Sequence, residues 1–274
     1  MKCYLPQAAL QPYVQCYVSL KLPELLPVPM VETTPPLPTK AIMFWFYEDP
    51  THVINSQGLD QQAPRAFIVP QCYYPNTCTH SGRQEFFTIT FWPGKMRHLF
   101  RFPWLEVANY YIDINDTGDQ AFIDFARRIE DTNSLAERVR LSDDFLLSRL
   151  PRHDTPLDRM QLALDNLSSN QPASVRDLAR SLHLSERQFR RRFKETFGIS
   201  PVNSRRVMRF QKAFDWMKNH TGATLMDATE AFSYTDPSHL YKDYLHFTGE
   251  SPRQFLEREL HNFKWINWRE NYWQ

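Results

Sequence analysis

The chain has 274 residues, of which 42% are hydrophobic, so it is long enough for two domains that each bury a core. It contains no apolar run of the roughly 20 residues that a transmembrane helix needs and no secretory signal at its start, so we expect a cytoplasmic protein without a membrane partner. The net charge of +1 is unevenly divided: residues 1–151 carry 13 Lys/Arg against 16 Asp/Glu, and residues 152–274 carry 19 against 15. Only the second part has the basic excess expected of a nucleic-acid contact.

The first region, up to about residue 115, is predicted to consist mainly of short strands. Twelve of the 20 prolines precede residue 76, and they separate aromatic and β-branched runs such as residues 41–47. Because proline is excluded from helix interiors and central strands, these runs favour strands joined by turns. The clearest predicted strand covers residues 85–92 and is ended by Pro93 and Gly94. We expect a mostly β fold, either a small barrel or a sandwich.

From Thr117 the apolar residues recur at helical spacing, first around Phe122 and then past Ser134. This pattern predicts two helices that close an α+β first domain. The polar segment 151–156 is bounded by prolines and is the best candidate for a linker. We therefore predict a first domain at residues 1–151 and a second, all-α domain at residues 152–274.

The second domain is predicted to contain seven helices. They lie near residues 156–169, 174–182, 186–197, 201–219, 224–232, 237–247 and 252–260. Residues 185–201 recur as residues 236–252, 51 positions later, with a cap residue at the start and Gly-x-Ser-Pro at the end of each copy. Each copy therefore predicts a capped helix with its own stop signal.

The first copy combines an apolar face with a basic one. At 100° per residue, Phe189, Phe193 and Phe197 share one face. The other face carries four cations, which are Arg187, Arg190, Arg191 and Lys194. A short turn separates this helix from residues 174–182, as in a helix-turn-helix motif, whose second helix enters the major groove. A solvated basic face without function is the alternative, but the preceding helix and the repeat favour double-stranded DNA.

The second copy is less basic. Asp236 and Pro237 are strong start signals, and Leu240, Tyr244 and Phe247 are expected to be buried. This leaves Ser238, His239 and Lys242 on the exposed face. Residues 201–219 are predicted to form one long connecting helix, so both recognition helices, 186–197 and 237–247, could reach successive major-groove segments about 34 Å apart.

Residues 156–258 resemble the AraC/XylS-type transcription regulators, a family of bacterial-type regulators with two helix-turn-helix units joined by a long helix. The motifs that carry the resemblance are Val175-Arg-Asp-Leu-Ala179, Phe189-Arg-Arg-Arg-Phe-Lys194, Gly198-Ile-Ser-Pro201, Asp236-Pro-Ser-His-Leu240 and Gly249-Glu-Ser-Pro-Arg-Gln-Phe255. The resemblance implies a sequence-specific regulator with DNA-facing residues Arg187, Arg190, Arg191, Lys194, Ser238 and Lys242. The second unit departs from the family pattern at several positions: Ser233-Tyr234 replaces Gly-Phe, and Leu245 replaces a common Lys.

Residues 1–151 more weakly resemble an N-terminal domain of such regulators, through residues 10–17, 91–94 and 99–103. The resemblance implies that this domain binds a small-molecule effector or mediates dimerisation, and that RNA polymerase and a second copy are further partners. No cofactor is expected. The Trp-rich tail at residues 263–274 is interpreted as a strap packed on the last helix, with a partner contact as the alternative.

Two other functions compete with DNA-dependent regulation. Cys72, Cys78 and His80 lie close enough in sequence for a thiol- or metal-dependent enzyme or sensor in residues 1–151, with an accessory DNA-binding domain. However, the spacing matches no zinc pattern, and no phosphate loop or nucleophile motif supports catalysis, so we expect no enzyme, no catalytic residues and no metal. The third function is that of an interaction protein whose DNA-binding face has decayed.

Overall fold

The computed structural model describes residues 2–21, 30–47, 52–55, 60–70, 73–80, 82–106, 110–151, 158–169, 171–220 and 222–262. Most of the predicted linker 151–156, the Trp-rich tail 263–274 and Cys72 lie outside these residues. Within the described ranges, no helix combines the length and the apolar content that crossing a bilayer requires.

The described residues of the N-terminal domain form ten strands. They are β1 (Lys2–Tyr4), β2 (Val14–Lys21), β3 (Met30–Thr34), β4 (Ala41–Tyr47), β5 (His52–Asn55), β6 (Asp60–Gln62), β7 (Ala66–Val69), β8 (Asn76–His80), β9 (Gln84–Phe91) and β10 (Ile112–Asp113). Six strands form one antiparallel sheet in the order β1-β2-β9-β4-β7-β10, and four form a second in the order β3-β8-β5-β6. The two sheets remain separate, so the mostly β prediction is confirmed and the sandwich is favoured over the barrel.

The larger sheet separates two apolar layers, because successive side chains of a strand point to opposite faces. On β4, Ile42 and Phe44 pack in the main core with helices, whereas Trp45 packs in a smaller cluster with Phe67 and Cys78. The pairing of Phe44 with Phe87 of β9 places both rings on the main-core side. The sheet is therefore buried on both faces.

Two helices close this domain, as the sequence predicts. They are α1 (Gln120–Glu130) and α2 (Leu135–Ser148), begun by the caps Asp119 and Ser134. Phe125 of α1 stacks on Phe145 of α2 with ring centroids 4.1 Å apart. A buried hydrogen bond of 2.6 Å from the Tyr17 hydroxyl to Asp143 ties α2 to β2.

The described residues of the C-terminal domain form helices joined by short turns. Its helices are α3 (Arg159–Leu167), α4 (Val175–Ser181), α5 (Glu186–Phe197), α6 (Pro201–Asn219), α7 (Leu225–Ala231), α8 (Pro237–Thr248) and α9 (Pro252–Asn262). All seven predicted helices are confirmed, within a few residues at their ends. The long helix α6 lies at the centre of one apolar core, where Phe210 contacts Tyr244 and Phe247 of α8.

Candidate nucleic-acid interface

The first helix-turn-helix unit consists of α4, a short turn and α5. Ser185 begins α5 with a capping box: its hydroxyl accepts from the backbone N–H of Gln188, and the Gln188 side chain accepts from the backbone N–H of Ser185. These bonds satisfy donors that a helix start otherwise leaves free. In the turn, His183 has a positive φ of 56°, which residues with a Cβ adopt infrequently. The turn and the cap fix the orientation of α5 relative to α4.

The two faces of α5 are divided as the sequence predicts. Phe189, Phe193 and Phe197 are buried in the domain core. The four residues of the basic row, Arg187, Arg190, Arg191 and Lys194, are all exposed. The row is contacted only loosely by carboxylates of its own helix, with Arg190 3.6 Å from Glu186 and Arg191 3.8 Å from Glu195. Exposed pairs of this kind contribute little, so these cations can turn to a phosphate or a base at small cost.

The second unit keeps its turn although the sequence departs from the family pattern there. Ser233, which replaces a glycine, adopts the required left-handed conformation with φ of 54°. Tyr234, which replaces a phenylalanine, is buried in the same apolar core. Asp236 then caps α8, accepting from the backbone N–H of His239 at 2.8 Å. The loss of the turn glycine therefore adds strain without removing the motif.

The outer face of α8 differs in part from the prediction. Leu240, Tyr244 and Phe247 are buried, and Ser238 and Lys242 are exposed, as expected. His239 is half-buried and not fully exposed, because its ring packs on Tyr234 and its Nε2 lies 3.3 Å from the Arg209 guanidinium. Tyr241 and Leu245 are exposed on the same face as Lys242. The sequence analysis noted Leu245 only as a departure from the family pattern and did not mention Tyr241.

A buried carboxylate anchors α8 to the connecting helix. The Asp243 side chain has no exposed area, and its Oδ1 accepts from Arg206 at 2.6 Å. Its Oδ2 accepts from the Tyr234 hydroxyl at 3.1 Å and lies 3.6 Å from Arg209. The Arg209 guanidinium also lies 3.9 Å from the centroid of the Tyr234 ring. This network holds α6, α8 and the second turn together, so the outer face of α8 has a fixed orientation.

The N-terminal domain contacts the end of α5 through a buried lysine. Nζ of Lys40 donates to the carbonyl of Phe197 at 3.2 Å and lies 3.9 Å from the ring centroid of Trp104. Burial, with a smaller contribution from nearby Arg97, lowers the pKa of Lys40 to about 7. Lys40 thus supplies a donor to a helix-terminal carbonyl, a group that usually lacks an intrahelical partner.

Close packing surrounds this contact. Gly94 has φ of 74°, and a Cβ placed on it would lie 2.6 Å from Oε1 of Gln161 and 2.8 Å from Leu164 and Phe197. Gln161 also donates to the carbonyl of Pro93 at 3.0 Å. Arg97 forms an ion pair with Asp158, immediately before α3. The end of the first recognition helix and the start of α3 therefore rest directly on the first domain.

A second contact joins the first domain to the other unit. Arg206, which pairs with Asp243, also donates to the Tyr73 hydroxyl at 2.6 Å. The Tyr73 ring packs edge-on against Phe247 of α8, with centroids 5.6 Å apart. Both helix-turn-helix units thus have a direct link to the N-terminal domain.

Of the residues of the thiol or metal alternative, the structure describes Cys78 and His80. Cys78 and His80 are buried on β8, where the His80 ring packs against Trp45 at 5.3 Å. Among the described residues, no three His, Cys, Asp or Glu side chains come together to hold a metal ion. Cys72 lies outside the described part of the chain. Nothing in the described residues therefore favours this alternative.

Family profiles match both parts of the chain. A profile described as "Helix-turn-helix domain" matches residues 178–258, which include both units and the connecting helix. A profile described as "Domain of unknown function (DUF6597)" matches residues 2–113. No curated protein sequence matches the chain significantly.

Solved structures similar to this chain include regulators of the AraC type. One is a 1.65 Å structure of ToxT from Vibrio cholerae. The match includes 88% of this chain and 97% of the ToxT chain, with a TM-score of 0.51 and 9% identity. Another, described as ToxT bound to an unsaturated fatty acid, covers 88% of this chain and 94% of its own, with a TM-score of 0.45 and 10% identity. A transcriptional regulator with an AraC-type DNA-binding domain, from Chromobacterium violaceum, covers 36% of this chain and 90% of its own, with a TM-score of 0.33 and 20% identity.

Proposed function

We propose that this chain is a sequence-specific DNA-binding transcription regulator and that α5 supplies most of its affinity for DNA. The helix-turn-helix profile that matches residues 178–258, both units and the connecting helix, supports this function. The basic row carries this proposal: four exposed cations lie on one side of a helix whose other side is locked into the core. An α-helix fits the major groove, where Arg can bond guanine O6 and N7, and the remaining cations can bond phosphates.

We assign the second reading position to α8, with Ser238 and Lys242 facing DNA. The connecting helix α6 spans 19 residues, and the Asp243 network fixes α8 against it. This rigidity supports simultaneous insertion of α5 and α8 into successive major-groove segments on one side of the duplex. Because α8 carries only one cation on that face, it should contribute less electrostatic affinity than α5.

We propose that residues 1–151 regulate the DNA-binding domain of residues 152–274 by sensing a small molecule or a second copy of the chain. Direct contacts support this role: Lys40 touches the end of α5, and Tyr73 touches the Arg206–Asp243 pair. A ligand or protomer that moves either contact would change the position of a recognition helix. RNA polymerase is a further partner that the family resemblance implies, and the cytoplasm is the compartment in which these partners would be met.

The test is a selection of duplexes from a random library with the full chain, followed by fluorescence anisotropy titrations from low to physiological salt. We expect enrichment of a defined sequence. A plot of the logarithm of the binding constant against the logarithm of the salt concentration should have a slope of about −4 or steeper, from four phosphate contacts or more. Triple replacement of Arg187, Arg190 and Arg191 by Ala should abolish enrichment. A matched triple variant at the exposed residues Arg127, Arg128 and Arg140 removes the same charge from α1 and α2 and should retain it. Binding that is indifferent to salt, or equal loss in both variants, would contradict the proposal.

A further inference from the structure

The outer face of α8 carries two exposed apolar side chains where α5 carries cations. Its outer row consists of Ser238, Tyr241, Lys242 and Leu245, at i, i+3, i+4 and i+7. In the 51-residue repeat these positions correspond to Arg187, Arg190, Arg191 and Lys194. Tyr241 is 41% exposed and Leu245 is 44% exposed. At two of the four corresponding positions, α8 thus carries Tyr241 and Leu245 where α5 carries cations.

These two side chains are not needed for the core of the domain. Leu240, Tyr244 and Phe247 fill the inner face of α8 and are completely buried. Asp243 lies between Tyr241 and Leu245 in sequence and points inward to Arg206 and Arg209. Since the carboxylate cannot leave these partners cheaply, α8 cannot rotate to bury Tyr241 or Leu245. Both remain directed outward beside Lys242.

In the major groove, base edges offer polar groups with one exception, the 5-methyl group of thymine. An apolar side chain held in the groove therefore gains by meeting a thymine and loses by covering an unpaired polar edge. We propose that Tyr241 and Leu245 are specificity-determining residues that contact thymine methyl groups in the part of the operator bound by α8. Lys242 contacts a neighbouring phosphate. This inference rests on the proposed function and names what its second unit recognises.

The test uses the duplex selected by the full chain and removes methyl groups one at a time by replacing thymine with deoxyuridine. This substitution keeps base pairing and every hydrogen-bonding group. At about 0.8 kcal/mol for each buried methyl, we expect about fourfold weaker binding at each contacted thymine. Deoxyuridine outside the contacted positions should have no effect.

The variants Leu245→Ala and Tyr241→Ala then identify which side chain contacts which thymine methyl group. Each variant should bind the duplex with all its thymines more weakly than the wild type does. At one thymine, replacement by deoxyuridine should no longer weaken the binding of that variant. Leu162→Ala is the matched control, because Leu162 is a similarly exposed leucine on α3, 51% exposed and outside both recognition helices. It should keep the full methyl effect. Equal thermal unfolding temperatures of the three variants would show that none has lost its fold.

The outcomes separate this inference from the proposed function. If the full chain selects no sequence, the proposed function fails. If a sequence is selected but no thymine-to-deoxyuridine change in the α8 half weakens binding, Tyr241 and Leu245 do not read methyl groups. The inference is also overturned if the methyl effect persists in both α8 variants, because another residue then makes the contact.

Discussion

The two helix-turn-helix units share a scaffold but differ on the surface that each presents and in how each is held. In both, an apolar row is buried, a polar cap begins the second helix, and a left-handed glycine ends it. The first presents four cations, whereas the second presents one cation and two apolar side chains. The first rests on Lys40 of the N-terminal domain, and the second is fixed by the buried Asp243.

This difference shows that the inner and outer faces of a recognition helix obey separate constraints. The inner face must fill the core, since large-to-small changes there leave cavities. The outer face is exposed to solvent in the free protein, so its charge can vary without loss of the fold. Position 243 breaks this division: its counterpart in the first unit is the exposed Arg192, whereas Asp243 is buried. At this position the first unit therefore has an exposed charge, and the second has a buried carboxylate that anchors α8.

The largest expected effect comes from removing that anchor. Asp243→Ala leaves the partly buried Arg206 and Arg209 without their carboxylate, which should lower the free energy of unfolding by about 3 kcal/mol. Arg192→Ala, at the corresponding position of the first unit, should change it by less than about 0.5 kcal/mol. Urea unfolding of both variants measures the difference. Similar losses would show that the two units are anchored alike.

The next effect separates the two reading helices at another pair of corresponding positions, 191 and 242. Arg191→Ala should weaken binding to the selected duplex by about 1–3 kcal/mol and relax base preference at one position. Lys242→Ala should weaken binding to all sequences nearly equally and reduce the salt slope by about 1. Anisotropy titrations on matched and mismatched duplexes distinguish the two. Interchanged behaviour would assign base reading to Lys242 and phosphate contact to Arg191.

A pH dependence should distinguish how the units contact the N-terminal domain. Burial lowers the pKa of Lys40 from its ordinary 10.5 to about 7, so between these values the folded chain binds fewer protons than the unfolded chain. The free energy of unfolding should therefore rise with pH, by about 1 kcal/mol from pH 7 to pH 8. Below pH 7 the cost of the buried charge is fully present.

Lys40→Met should reduce the total rise by this amount of about 1 kcal/mol, whereas Tyr73→Phe, at the contact with the second unit, should leave it unchanged. Urea unfolding at pH 7 and pH 8 gives the comparison. The difference between wild type and Lys40→Met isolates Lys40 from Cys3, whose pKa is also lowered to about 7, by a hydrogen bond with Cys16. An unchanged rise in Lys40→Met would assign the pH dependence to another group.

The smallest effect concerns the two turns. His183 and Ser233 both have positive φ, near 55°, which costs a residue with a Cβ about 1–2 kcal/mol. Glycine relieves this strain but has more freedom in the unfolded chain, so His183→Gly and Ser233→Gly should each stabilise by up to about 1 kcal/mol. The unfolding temperature of each variant, compared with that of the wild type, measures this stabilisation. A loss of stability at either position would mean that the side chain makes a contact worth more than the strain.

Local patterns in the sequence were sufficient to predict the helices of the second domain. The bounds of α5 agree with the prediction because Ser185, the phenylalanine spacing and Gly198 are all local signals. The same reasoning gave the exposure of the basic row. It placed His239 wrongly, because Arg209, 30 residues earlier, and Tyr234 in the preceding turn together cover its ring.

Contacts between distant segments could not be predicted. Lys40 stands in a proline-rich segment and meets a carbonyl 157 residues away. No periodicity marks such a residue as buried. The arrangement of strands was equally hidden: the mostly β composition suited a barrel or a sandwich, and only the strand order shows two separate sheets. Asp243 gave no signal either, since a carboxylate in a polar helix is ordinarily exposed.

The glycine at position 94 has a consequence for exchanging domains between regulators. The space beside its Cα is already filled by the side chains of Gln161, Leu164 and Phe197 of the other domain, so an added methyl group would require these side chains to shift. A chimera that joins this DNA-binding domain to the N-terminal domain of another protein would need a residue without a side chain at the position of Gly94. At Gly94, the packing between the two domains therefore depends on the absence of a side chain.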